Sequence, residues 1–236
     1  PTRFRPSAER RNTPVPRVSD DVMDSLRQRV IEPIDTFPVG TFVNPSGAII
    51  PPSPDGPYDF MIQVDGQPHR FDLGEPIPFK VRETGGPADG LKLVRECLQR
   101  IADATGFRFK YAGMDDRFPG FDQHLRGLWI GWIFPEEDDS GRMVEGKVIG
   151  LGGPRSTGAV LSGGVATVRA FLDYDEGFGP QGVGNVLLHE LGHAMNLGHV
   201  QDARQIMFPF SGPDISGFGG GDLYGLWVLG SGRHAS

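Results

Sequence analysis

Four residues in the last quarter of the chain have types and spacings that could do metal chemistry: His189, Glu190, His193 and His199. On a helix, His189 and His193 stand one turn apart on one face, roughly 6 Å along the axis, so their ring nitrogens can converge on one ion. Imidazole nitrogens about 2.0–2.1 Å from the ion suit zinc. Glu190 is too close to His189 in sequence to be a third helical ligand, and can instead reach a water beside the ion. The competing account is an exposed helix with two unrelated histidines. His199 lies six residues past His193 and off the helical face, so the chain must turn sharply before its imidazole can swing back. Glycine with positive φ usually makes such a turn. Here the residue is Asn196, the side chain that best tolerates the left-handed region after glycine.

The run His189–His199 resembles the signature H-E-x-x-H-x-x-G-x-x-H of the metzincin clan of zinc peptidases, with Asn196 in the glycine position. Gln205-Ile206-Met207-Phe208-Pro209 looks like the A-L-M-Y-P methionine turn of the matrixin branch. Gly221-Asp222-Leu223-Tyr224-Gly225-Leu226-Trp227 is similar to the D-D-I-N-G-I segment that opens the last matrixin helix. The motifs cover about residues 148–230, and upstream only the order of elements matches. The resemblance implies a zinc endopeptidase with His189, His193 and His199 as ligands and Glu190 as the base acting on a zinc-held water. It makes Met207 a packed sulfur beneath the metal, and Asp222 the anchor of the methionine turn. It also implies that Val148, Ile149, Gly150, Leu151 and Gly152 form an edge strand that pairs with a protein or peptide substrate. A secreted or cell-surface setting comes from the same source. The first acidic residue of the matrixin segment, which pairs with the new amino terminus after activation, is Gly221 here, so that lock is not expected. A second, structural zinc is not expected either, because His69, His124 and His234 all fall outside Gly152 to Asp175.

Elements that could position these groups can be read from patterning. Ile77–Arg82 reads as a first strand, 88–105 as an amphipathic helix, Phe107–Tyr111 as a second strand and Gly127–Phe134 as a central strand. Val148–Gly153 is expected as a short edge strand and Val165–Asp173 as another, with Asn185 capping the metal helix. Tyr58–Phe71 reads as a hairpin around Asp65-Gly66, a pair that favours a type I′ turn. The expected class is α+β, a twisted mixed sheet with helices packed behind and a cleft along one edge.

Residues 1–57 are proline-bearing, with a short helix expected over 19–32, and read as a linker or a propeptide-like segment ahead of a catalytic domain at 58–236. The core of that domain is expected from about residue 75 and its C-terminal subdomain from about 199. The chain opens on Pro1 with no secretory signal, so a further upstream segment is expected. A chain of 236 residues can bury a sizeable core. A net charge of −7 argues against nucleic acid or an anionic membrane as partner, and no apolar run is long enough for a membrane span. The single cysteine, Cys97, lies beside the apolar stripe Leu91, Val94, Leu98, Ile101 and reads as a buried hydrophobe rather than an inhibitory thiolate. Acidic groups at 115–116, 136–139 and 173–176 offer oxygens to calcium, but none has the spacing of a calcium loop. Two alternatives to turnover stay open: a zinc-containing module that holds peptides, and a latent form blocked by its amino-terminal segment.

Overall fold

A computed structural model describes residues 55–121, 125–138, 140–143, 148–170, 178, 182–210 and 215–231. The chain divides into two units, Pro1–Pro33 and Ile34–Ser236, and every described residue belongs to the second. The helix expected over 19–32 and the acidic group at 173–176 lie outside the described residues.

In chain order the elements are β1 (Gln63–Val64), β2 (Gln67–Pro68), β3 (Ile77–Arg82), α1 (Gly90–Thr105), β4 (Phe109–Met114), β5 (Gly127–Ile133), β6 (Gly150–Thr157), β7 (Val160–Arg169), α2 (Val183–Ala194) and α3 (Gly220–Ser231). A five-stranded mixed sheet runs β4-β3-β5-β7-β6, parallel throughout except that β6 lies antiparallel to β7 at the edge. The fold class is α+β. Every residue of β5 is buried, as expected of an unbroken apolar strand in the middle of a parallel sheet covered on both faces. On one side the core joins Phe79, Val81, Ile130 and Val168 to α1, α2 and α3. On the other, Trp129, Ile133, Met143 and Val165 form a smaller cluster. None of the helices among the described residues is long and apolar enough to cross a membrane.

Helix α1 buries Leu93, Val94, Cys97, Leu98 and Ile101 and stops at Gly106, whose φ of 75° lets its N–H return to the Ala102 carbonyl. Cys97 is fully buried, its Sγ donating to the Gly184 carbonyl of α2 at 3.7 Å, and burial pushes its thiol pKa well up. It is a packing residue. The 63–68 hairpin turns at Asp65 (φ 52°) and Gly66 (φ 73°), the two positive φ values that a type I′ turn requires.

Four expectations need correction. The edge strand begins at Gly150 rather than Val148 and runs on to Thr157, although Arg169 N–H still bonds the Ile149 carbonyl at 2.9 Å. Its partner runs from Val160 to Arg169 rather than from Val165, because Gly158 (φ 64°) makes the tight turn of one long hairpin. The second strand is Phe109–Met114, and Phe107 precedes it, packed edge-on against Phe71 at 6.2 Å. Asn185 does not cap α2; that position is Gly182. The Asn185 carboxamide instead donates to the Phe178 and Ile215 carbonyls at 3.3 and 2.5 Å. It ties the start of α2 to the loop before α3.

Candidate metal centre

Helix α2 presents His189 and His193 one turn apart, with ring centroids 4.7 Å from each other. The helix then ends in a Schellman motif, with Asn196 N–H on the His193 carbonyl and Leu197 N–H on the Gly192 carbonyl, each 2.8 Å. The motif needs a left-handed residue, and Asn196 supplies it with φ 92°. The chain reverses there and brings His199 back. Its Nε2 lies 3.2 Å from that of His189 and 3.0 Å from that of His193.

Those separations test whether the site fits a metal ion. Two nitrogens on a tetrahedral zinc at about 2.0–2.1 Å stand roughly 3.3 Å apart, close to both values. The remote ring nitrogens decide the tautomers. His189 Nδ1 faces the Ile206 carbonyl at 2.5 Å and His193 Nδ1 faces the Leu197 carbonyl at 2.8 Å. A carbonyl only accepts, so both protons sit on Nδ1 and both Nε2 lone pairs turn inward. His199 could cap one of them with a proton but not satisfy all three rings. Three neutral imidazoles aimed at one point, each with a ligand atom within 4.8 Å of the others, can hold a metal ion. Burial lowers the pKa of His189 to about 4 and of His193 to about 3, and lowers that of half-shielded His199 too. The rings are thus neutral at pH 7, as ligation requires.

Glu190 is buried beside them, and burial pushes its carboxyl up to about 8 against the opposing pull of Arg142. Strand β6 lies directly on it. A Cβ at Gly150 would run into the Glu190 carboxylate, and one at Gly152 would run into its backbone carbonyl. These two glycines let the sheet edge close over the helix.

Beneath the site, the Met207 sulfur packs on Gly192, so that a Cβ there would meet it at 2.5 Å. The turn carrying Met207 is fastened to α3. Asp222 Oδ2 accepts from Ile206 N–H at 2.6 Å and Gly219 N–H at 3.0 Å, and Asp222 N–H donates to Gln205 Oε1 at 3.0 Å. Because Ile206 also orients His189, this anchor reaches that ring through one residue. Gly221 has no side chain where the matrixin pattern has an acid. A Cβ there would collide with the Pro57 carbonyl, so backbone from the amino-terminal side takes the space.

Around the histidines lies a cleft of about 690 Å³. Val148–Gly152 form one wall and Phe208, Phe210 and Ile215 another, while Asp59, Phe60 and Met61 close a third side. Phe210 is 72% exposed at its rim. The expected ligands, Glu190, Met207 and the 148–152 segment therefore come together. The contributions of residues 59–61, Arg142 and the Ile206 carbonyl were not legible: nothing in spacing or composition links positions 59–61 to the histidine motif. Among the other residues considered for metals, His69 bonds Ser156 Oγ through Nδ1 at 2.7 Å. Asp115 pairs with Lys80 at 2.8 Å, and Asp138 accepts from Ser140 and from Met143 N–H.

No family model and no curated protein matches this sequence. Among solved structures the chain is similar to metalloproteinase-II from Bacteroides fragilis, at 16% identity and a TM-score of 0.36. The match covers 69% of this chain and 54% of that one, so the chain spans about half the length of that protein.

Proposed function

We propose that the protein is a zinc-dependent endopeptidase of the metzincin kind, with His189, His193 and His199 as ligands and Glu190 as the proton carrier. The observation that carries this reading is the convergence of three Nε2 atoms, two of them with lone pairs turned inward, beside a buried carboxyl in a cleft walled by a sheet edge. A zinc ion bound there would supply Lewis-acid polarisation of a peptide carbonyl and would acidify a water. Glu190 takes the proton from the attacking water and passes it to the leaving nitrogen. Its burial matters for that exchange. In the metal-free chain the carboxyl holds its proton to about pH 8, and a dication held by the three histidines would lower that value toward the range where a proton is readily taken and returned.

Residues 150–152 have no strand partner on their outer side among the described residues, and they line the cleft. An extended peptide laid along them would gain main-chain hydrogen bonds that do not depend on its sequence. The aromatic residues Phe208 and Phe210 on the facing wall offer apolar contact to its side chains. Holding the chain by its backbone places the scissile carbonyl over the histidines.

The test is hydrolysis of a denatured protein by the full chain, with and without a chelator and after zinc is restored. Cleavage inside the chain that is lost with chelator and regained with zinc is the expected result. Peptides held tightly but never cut by the zinc-loaded protein would replace the enzyme with a binding module.

A further inference from the structure

The residue that departs from the metzincin pattern is also the most completely engaged polar side chain near the centre. Asn196 is fully buried. Its Nδ2 donates to the Ile62 carbonyl at 2.9 Å and to the His69 carbonyl at 2.7 Å, and its Oδ1 accepts from Ile62 N–H at 2.8 Å. Both amide protons are thereby used, and the oxygen has a donor. The carboxamide engages the N–H and the C=O of Ile62 together, as the peptide group of a neighbouring strand would. Backbone contacts extend this pairing on either side. Met61 N–H bonds the Asn196 carbonyl at 3.0 Å, Phe60 bridges Leu197 in antiparallel register, and Gly198 N–H bonds the Asp59 carbonyl at 2.8 Å. Residues 59–62 thus run as an added strand along 196–198, the segment between the second and third histidines. The far end of the hairpin is fixed as well, since Leu161 N–H bonds the Arg70 carbonyl at 2.9 Å and His69 bonds Ser156.

We infer that Asn196 is a positioning residue for the metal centre: its carboxamide clasps the 59–69 hairpin onto the helix ending and so fixes the turn that delivers His199. Glycine would satisfy the left-handed backbone at this position but has nothing with which to hold Ile62 and His69. Asparagine meets both demands. The hairpin, by this account, is part of the metal site although it supplies no ligand. Without the clasp, the segment after the helix keeps its reversal but loses the buried hydrogen bonds that set its path, and the third imidazole is no longer held 3.0–3.2 Å from the other two.

The inference rests on the metallopeptidase reading, and the experiment separates the two. The full chain is stripped of metal and titrated with cobalt(II), whose visible bands report the ligand geometry, alongside Asn196→Gly and Asn196→Asp. Folding is followed by thermal melting. Asn196→Gly is expected to melt cooperatively yet bind cobalt roughly 10–100-fold more weakly, the usual cost of losing a partner that orients ligands, with a changed spectrum. Asn196→Asp keeps the acceptor for Ile62 N–H but turns a carboxylate oxygen onto the Ile62 and His69 carbonyls, so it should bind cobalt at least as weakly as Asn196→Gly. In the unaltered protein, metal loading should slow amide exchange at Met61 and Ile62, because coupling between hairpin and metal is reciprocal. Unchanged affinity and spectrum in a folded variant overturn the clasp, as does exchange at Met61 and Ile62 that ignores metal. A wild-type chain that takes up no cobalt overturns the metallopeptidase reading itself.

Discussion

Two parts of the metal centre are held in different ways. His189, Glu190 and His193 share one helix, so their spacing follows from 3.6 residues per turn and survives almost any change elsewhere that leaves α2 folded. His199 sits on a stretch with no regular structure, whose path depends on residues up to 134 positions away in sequence. The helical pair is coded locally and the placement of the third imidazole is coded by tertiary contact. Even the pair is not wholly self-sufficient. The His193 ring is oriented by Leu197 four residues on, whereas the His189 ring is oriented by Ile206, which Asp222 of α3 holds.

The largest effect should come from the local part and leave geometry untouched. Glu190→Ala in the zinc-loaded protein is expected to lower kcat by about 10²–10⁴-fold, the usual range for losing a general acid–base group, with metal content unchanged. Metal analysis alongside peptide turnover checks both halves. Undiminished turnover in the loaded variant would remove Glu190 from the mechanism. Loss of zinc instead would mean that the helix ligands depend on this side chain more than their spacing suggests.

A smaller effect, of about 1–3 kcal/mol, is expected where the sheet edge meets the helix. In Gly150→Ala the new methyl meets the Glu190 carboxylate, so either β6 shifts outward or Glu190 turns. Melting of the metal-free variant reads the strain, and peptide turnover reads the displacement of the base. Ala at Gly158, where nothing lies within 4 Å of a Cβ, makes the contrast sharper. Its cost comes only from a left-handed backbone (φ 64°) and should leave turnover alone. Equal losses of turnover in the two variants would dissolve the distinction between contact and backbone conformation.

How much of this was legible follows the same division. The helix-borne residues could be read from spacing alone, and so could β3, β5 and the type I′ hairpin, because periodicity and turn chemistry are local signals. The turn-side ends of the β6–β7 hairpin are not legible because Gly158-Ala159 is not among the turn pairs that announce themselves. Asn185 reads as a cap because it is an asparagine near a helix start, while its actual partners, Phe178 and Ile215, are fixed by the fold. The substitution at Asn196 was visible in the sequence, but its reason was not. The carbonyls that its carboxamide holds belong to Ile62 and His69, and no periodicity connects those positions to the helix ending.

The smallest effect tests the nonlocal anchor through its charge. Asp222 is buried, and burial raises its carboxyl to about 6 although backbone N–H groups of Gly219, Ile206 and Met207 pull the other way. An aspartate unfolded titrates near 3.9, so between there and about 6 the native state binds the extra proton. Stability contributed by this group is therefore fully present below the unfolded value and is lost as pH rises through about 6. Imidazoles of the unfolded chain take up protons over the same window, and a comparison with Asp222→Asn cancels their share, since the amide oxygen can still accept from Ile206 and Gly219. Lowering the pH of the metal-free proteins from 7 to 6 should stabilise the wild type over the variant by roughly a few tenths of a kcal/mol, read from paired denaturant titrations. A difference that stays flat, or that grows in favour of the variant, would mean the backbone donors outweigh burial and the carboxylate remains charged. The turn beneath His189 would then be held by charge-assisted hydrogen bonds, and Asp222→Asn would weaken it at every pH.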